Sequence, residues 1–158
     1  MTGRWPKRAV AAAAVAAFVG GASVNVQAAS CPSDQVVQAM QVRLLQNELM
    51  VAALQCRAVP TYDYQGKYNV FLTQFSGPLN QNANVLRDHF RRSFGGSHQT
   101  QLDRYMTRIA NDAGQRGMQP GYCQQMAPLF EKVLLIKSAD LTSFSQQNIP
   151  AAVSRDGC

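Results

Sequence analysis

The stretch from Ser33 to Cys56 constrains this chain more than any other. From Gln35 to Gln55 it contains neither Gly nor Pro, and most of its residues are good helix formers. Ser33 is a suitable N-cap, and Asp34 sits in the first turn, near the positive end of the helix dipole. One long helix is therefore predicted here. On a helical wheel Val37, Met40, Leu44 and Val51 form one apolar stripe. Val42, Leu45, Leu49, Ala52 and Cys56 form a second, roughly 120° away. A helix apolar on two sides belongs among other helices, not on a surface. A thin polar seam of Asp34, Gln41, Glu48 and Gln55 runs beside the stripes, and Arg43, Gln46 and Arg57 mark the expected outer face. Glu48 lies between the two stripes, so an ion pair to a neighbouring helix is expected, with Arg104 or Arg108 as partner. The sharper alternative makes Glu48 a functional or ligand-binding carboxylate.

The N-terminus has the three parts of a secretory signal peptide. Arg4, Lys7 and Arg8 precede the apolar run 9–19, and a small, weakly polar stretch follows. Val26-Gln27-Ala28 fits the cleavage rule, which makes 1–28 the signal peptide. The run is too short for a permanent membrane anchor, so a chain that does not span a membrane is expected. Ala28-Ala29-Ser30-Cys31 loosely resembles a bacterial lipoprotein cleavage box, which would place a lipid on Cys31, but the usual Leu three residues before the Cys is absent. Cleavage leaves 130 of the 158 residues: one helical domain over 29–147 and a tail over 148–158. Lys+Arg then falls from 15 to 12 against nine Asp+Glu, and the net charge falls from +6 to +3. That excess does not argue for nucleic acid. The one basic cluster, Arg87, Arg91 and Arg92, lacks aromatics interleaved on its face.

Four cysteines in an exported chain read as two disulfides. If Ser33–Cys56 is helical, its ends lie roughly 35 Å apart, whereas a disulfide needs Cα atoms within about 7 Å. Cys31 therefore does not bond Cys56. An up-down order of four helices favours Cys56–Cys123 and Cys31–Cys158. Cys-x-x-Cys spacing is absent, which removes a thioredoxin-type site, a zinc knuckle and covalent c-type haem, and no cofactor is expected.

The remaining helices follow from apolar spacing. Leu72, Phe75, Leu79, Ala83, Leu86, Phe90 and Phe94 stay in phase across Ser76-Gly77-Pro78. That predicts one second helix kinked near Pro78, in preference to two helices with Pro78 in the first turn of the latter. Leu102, Tyr105, Met106, Ile109 and Ala113 predict a third helix, stopped by Gly114. Cys123, Met126, Phe130, Val133 and Leu134 predict a fourth to about Lys137, with Pro128 inside it. Residues 140–147 suggest a further helical turn. The fold expected is an all-α, up-down four-helix bundle stapled by two disulfides.

Chemistry-bearing residues are few. Asp88, His89, His98 and Asp103 are the one local concentration of catalytic types, and a metal or acid–base site there is conceivable where two helices meet at Gly95-Gly96. The spacing fits no metal motif, because ligands on a helix prefer three or four residues apart. Tyr62, Tyr64, Tyr68 and Phe71 crowd aromatics near the Cys56 end, as packing or as an apolar ligand cleft shared with Glu48. The expected function is a small exported binding protein whose partner is another envelope protein. A carrier of a small apolar ligand is the alternative.

Overall fold

The computed structural model describes residues 32–149. Cys31, Cys158, the cleavage site after Ala28 and the expected Cys31–Cys158 bond lie outside the described residues. Those residues are helical without a strand. The α-helices are α1 (Asp34–Gln55), α2 (Tyr64–Gln74), α3 (Ser76–Phe94), α4 (His98–Gly117), α5 (Tyr122–Leu135) and α6 (Leu141–Asn148). Among the described residues no helix is long and apolar enough to cross a membrane.

The fold is organised around α1, which touches each of the other five helices. Thirteen of its 22 residues are buried, and no residue from Val36 to Ala53 is exposed. The two apolar stripes account for much of this, with Val42, Leu45, Leu49 and Ala52 almost wholly inside. Each such Leu or Val contributes about 1.5–3 kcal/mol by leaving water. The expected outer face is covered more than predicted. Arg43 and Gln46 are half-buried, and Arg43 Nη1 donates to Gln46 Oε1 at 2.7 Å. Burial holds the Arg43 guanidinium below its ordinary value, with the nearby Tyr105 and Tyr68 phenols opposing that shift.

Among the described residues six α-helices stand where four were expected, for two local reasons. The predicted second helix leaves α geometry at Phe75 (φ −107°, ψ 16°), three residues before Pro78. The ladder runs on across the break, with Phe75 N–H donating to Phe71 O at 3.0 Å and Leu79 N–H to Phe75 O at 2.9 Å. The apolar phase therefore survives, and Phe71, Phe75, Leu79, Leu86 and Phe90 all reach the core. Pro78 has no N–H for the Gln74 carbonyl one turn back. Ser138 Oγ donates to that carbonyl at 2.8 Å instead. The Gln74 side chain donates to Ile136 O at 2.9 Å, which fastens the bend to the end of α5. The second reason is α6, where the suggested single turn is a helix of eight residues packed on α1. The core extends past it into the expected tail, since Ile149 is buried.

The Cys56–Cys123 bond is present, with Cα atoms 5.7 Å apart. It ties the end of α1 to the first turn of α5, the pairing that the up-down helix order favoured. Asp63 opens α2 in the left-handed region (φ 43°), and its side chain accepts from Gly66 N–H at 3.2 Å. Asp adopts that conformation more readily than most residues because its short side chain bonds locally.

The third helix does not stop at Gly114 but runs to Gly117 as α4. A helical Gly costs only about 1 kcal/mol against Ala, and the tight packing beyond it outweighs that cost. A Cβ at Gly117 would lie 2.8 Å from Val51 Cγ1 and 3.1 Å from Gln55 Cγ. A Cβ at Gly114 would meet nothing within 4 Å. The two glycines are thus opposite cases, and urea denaturation separates them. Gly117→Ala should destabilise by about 1–3 kcal/mol through overpacking, and Gly114→Ala should stabilise by about 0.5–1 kcal/mol. Equal effects would mean that α4 does not approach α1 at Gly117.

Candidate functional site

Met40, Leu44 and Glu48 are spaced one turn apart on α1 and share one face. Along this face lie two adjoining clefts. The first, about 740 Å³, is floored by Met40, Leu44, Phe90 and Ile109 and walled by Arg104, Tyr105 and Arg108 of α4 and by His89 and Phe94 of α3. The second, about 430 Å³, lies among Leu44, Glu48, Tyr122, Met126, Leu129 and Ile149. Leu44 and Arg116 border both clefts. Both volumes fall in the range of about 300–1,000 Å³ that ligand pockets occupy.

Glu48 is paired, but not with Arg104 or Arg108. Arg116 donates to its Oε1 through Nε at 2.8 Å and also through Nη2. The Glu48 side chain is 11% exposed and that of Arg116 51%, so the carboxylate is inside and the guanidinium reaches it from the rim. Tyr122 hydroxyl donates to the Glu48 backbone carbonyl at 3.2 Å. Burial raises the Tyr122 phenol well above its ordinary value, and the neighbouring Glu48 charge adds to the shift. Arg116 was out of view because a helix ended at Gly114 leaves it in a loop. With α4 carried to Gly117, Arg104, Arg108, Asp112 and Arg116 fall on one face at four-residue steps. That spacing is the signal that would have found this rim.

Arg104 and Arg108 are exposed, and neither has a carboxylate in ion-pair range among the described residues. The Arg108 guanidinium lies 5.9 Å from the Tyr105 ring centre. The Tyr105 hydroxyl is buried without a hydrogen-bond partner. Its phenol is pushed up to about 12 by burial, with Arg43 and Arg108 opposing the shift.

The aromatic set lies elsewhere. Tyr62 stacks on Tyr64 with ring centres 5.0 Å apart, and Tyr64 stacks on Phe130 at 4.6 Å. The Tyr64 hydroxyl donates to the Cys123 carbonyl. Burial pushes that phenol up to about 12, and Tyr62 and Glu131 add to the shift. Tyr68 stacks on Phe71, which is fully buried. These rings brace the loop after α1 against α5 beside the disulfide. A small cleft of about 270 Å³ runs past Tyr64, but Tyr62, Tyr68 and Phe71 do not line it, and Glu48 opens onto the second cleft. The structure therefore does not gather Tyr62, Tyr64, Tyr68, Phe71 and Glu48 into one site.

The His and Asp group is not gathered either. Asp88 pairs with Arg91 at 3.3 Å, and Asp103 accepts from Gln99 at 3.1 Å. His98 Nδ1 donates to Gly95 O at 2.7 Å. Of these residues His89 alone borders the first cleft, its ring edge-on to Phe90. Burial and the Arg92 charge hold that imidazole below its ordinary value. Among the described residues no group of three or more His, Cys, Asp or Glu side chains is placed to hold a metal ion.

No family model matches this chain, and neither a curated protein nor a solved structure matches it.

The Glu48–Arg116 pair makes a direct prediction. Arg116→Met strands a nearly buried carboxylate and should cost about 1–3 kcal/mol. Combining it with Glu48→Gln should recover most of that loss in a double-mutant cycle read by chemical denaturation. Additive costs would show that the pair is not coupled.

Proposed function

We propose that this protein is a small exported binding protein, and that its working face is the trough formed by the two clefts over Met40, Leu44 and Glu48. The observation that supports this reading is a cleft floored by apolar side chains of the core, edged by the exposed Phe94 and rimmed by arginines of α4. Glu48, the one buried carboxylate among the described residues, serves as the internal counter-ion of Arg116. A binding role uses a rigid, shaped surface of this kind, and an acid–base role would require Glu48 free to exchange its proton.

The signal peptide 1–28, cleaved near Ala28, takes the chain to the periplasm or the exterior, where the Cys56–Cys123 bond is at home. Cys31 and Cys158, the other two cysteines, form the second bond in this reading. The partner is another envelope protein. One observation favours a small apolar ligand as a second occupant. Leu44, Met126, Leu129 and Ile149 give the second cleft a mostly apolar wall.

Two measurements test this reading. Benzoylphenylalanine placed at Phe94, which is 42% exposed on the first cleft, should give a discrete photo-adduct in the native envelope. At Leu135, which is 85% exposed and borders neither cleft, it should give none. Matching adducts at both positions, or none at either, would contradict the trough as the working face. Non-reducing peptide mapping of the secreted protein should recover a Cys31–Cys158 peptide beginning near Ala29. A lipid on Cys31 would overturn that assignment.

A further inference from the structure

We infer that the partner enters the trough with an acidic, amphipathic segment: apolar side chains against the α1 floor and carboxylates against Arg104 and Arg108. This rests on the reading of the trough as the working face and specifies the chemistry that the face selects.

The floor is apolar at Met40, Leu44 and Ile109, and Phe94 remains 42% exposed at its edge. An occupant must therefore present apolar groups to be held there. Arg104 and Arg108 stand one helical turn apart over that floor. Both are exposed, and neither is matched by a carboxylate in ion-pair range among the described residues. Arg116, further along the same face, is already committed to Glu48. Burial and the neighbouring Arg92 disfavour the charged form of His89. Asp103 shares the outer wall of α4 with Arg104 and Arg108, but it is in ion-pair range of neither and does not border the trough, so the unmatched positive charge facing the trough sits at the Arg104–Arg108 end.

Asp112 lies between Arg108 and Arg116 on the same rim. It repels a second carboxylate at that level, so the acidic groups of the occupant are directed to the end near Phe94. From Arg104 to Arg116 the rim runs about 18 Å at 1.5 Å per residue. That length suits a segment of about 12 helical residues or five to six extended ones. Recognition by apolar anchors in a groove with charges at its rim is an established mode of peptide binding. Charge complementarity there selects the partner and speeds the encounter more than it strengthens the complex.

The test is photocrosslinking from position 94 in the native envelope, followed by mass spectrometry of the adduct, in the otherwise unchanged protein and in the Arg104→Glu/Arg108→Glu variant. Both arginines are exposed, so the variant should keep the thermal melt of the parent, which circular dichroism checks. The adduct should map to a peptide carrying Asp or Glu beside apolar residues. Its yield should fall roughly fivefold or more in the variant and also on raising the salt to about 0.5 M. An adduct whose yield ignores the charge reversal would overturn the proposal while leaving the trough as the working face. An adduct on an acyl chain, or on a segment without acidic residues, would overturn it equally. Absence of any adduct from the parent protein would remove the trough reading and this proposal together.

Discussion

The burial of α1 is the constraint on which the rest of the structure depends. A helix with no exposed residue from Val36 to Ala53 cannot satisfy its surface with one partner helix. It needs neighbours on all sides, and the five other helices supply them. The short distances elsewhere follow from that demand. α4 closes onto α1 where Gly117 leaves room for Val51 and Gln55. α5 is held to the end of α1 by the Cys56–Cys123 bond. The bend between α2 and α3 lets an apolar stripe turn along α1, and Ser138 and Gln74 supply the hydrogen bonds that fasten the bend.

The trough is a consequence of the same arrangement. Met40, Leu44 and Glu48 lie within the stretch of α1 that has no exposed residue, yet α3 and α4 on one side and α5 with the chain after α6 on the other leave clefts above them. Glu48 is stable there because Arg116 reaches in from the rim and Tyr122 engages the same turn of backbone. A charge so placed would otherwise be costly to bury. Arg116 borders both clefts, and Glu48 the second. Positive charge without a match among the described residues is left at Arg104 and Arg108, and that imbalance gives the proposed binding face its polarity.

Much of the fold was legible in residue order. The length of α1 and its two stripes predicted a central helix, and rigid geometry alone excluded a Cys31–Cys56 bond. The Cys56–Cys123 bond followed from helix order, even though the count of four helices was too low. Of two misreadings, the first arose because tertiary packing outweighed local propensity. Gly114 looked like a helix stop, but contact with α1 carries the helix on to Gly117. That one error placed Arg116 in a loop and directed the search for a Glu48 partner to Arg104 and Arg108. The second is local: with Pro78 withholding its N–H from Gln74, the helix breaks at Phe75, and the alternative of two helices with Pro78 in the first turn of the latter is the one found. The tyrosines near Cys56 stood out because they are dense in sequence. Density does not distinguish a brace from a pocket, and the stacking of Tyr62, Tyr64 and Phe130 makes them a brace.

If α1 is the axis of the molecule, it should be the last element to open. Native-state hydrogen exchange measures this directly, because locally opening segments exchange at lower free energy than the global core. The amides from Val42 to Ala52 should exchange only through global unfolding, with α3 and α6 opening at lower free energies. If α1 exchanged as readily as α3 or α6, the stability of this protein would not rest on burying its first helix.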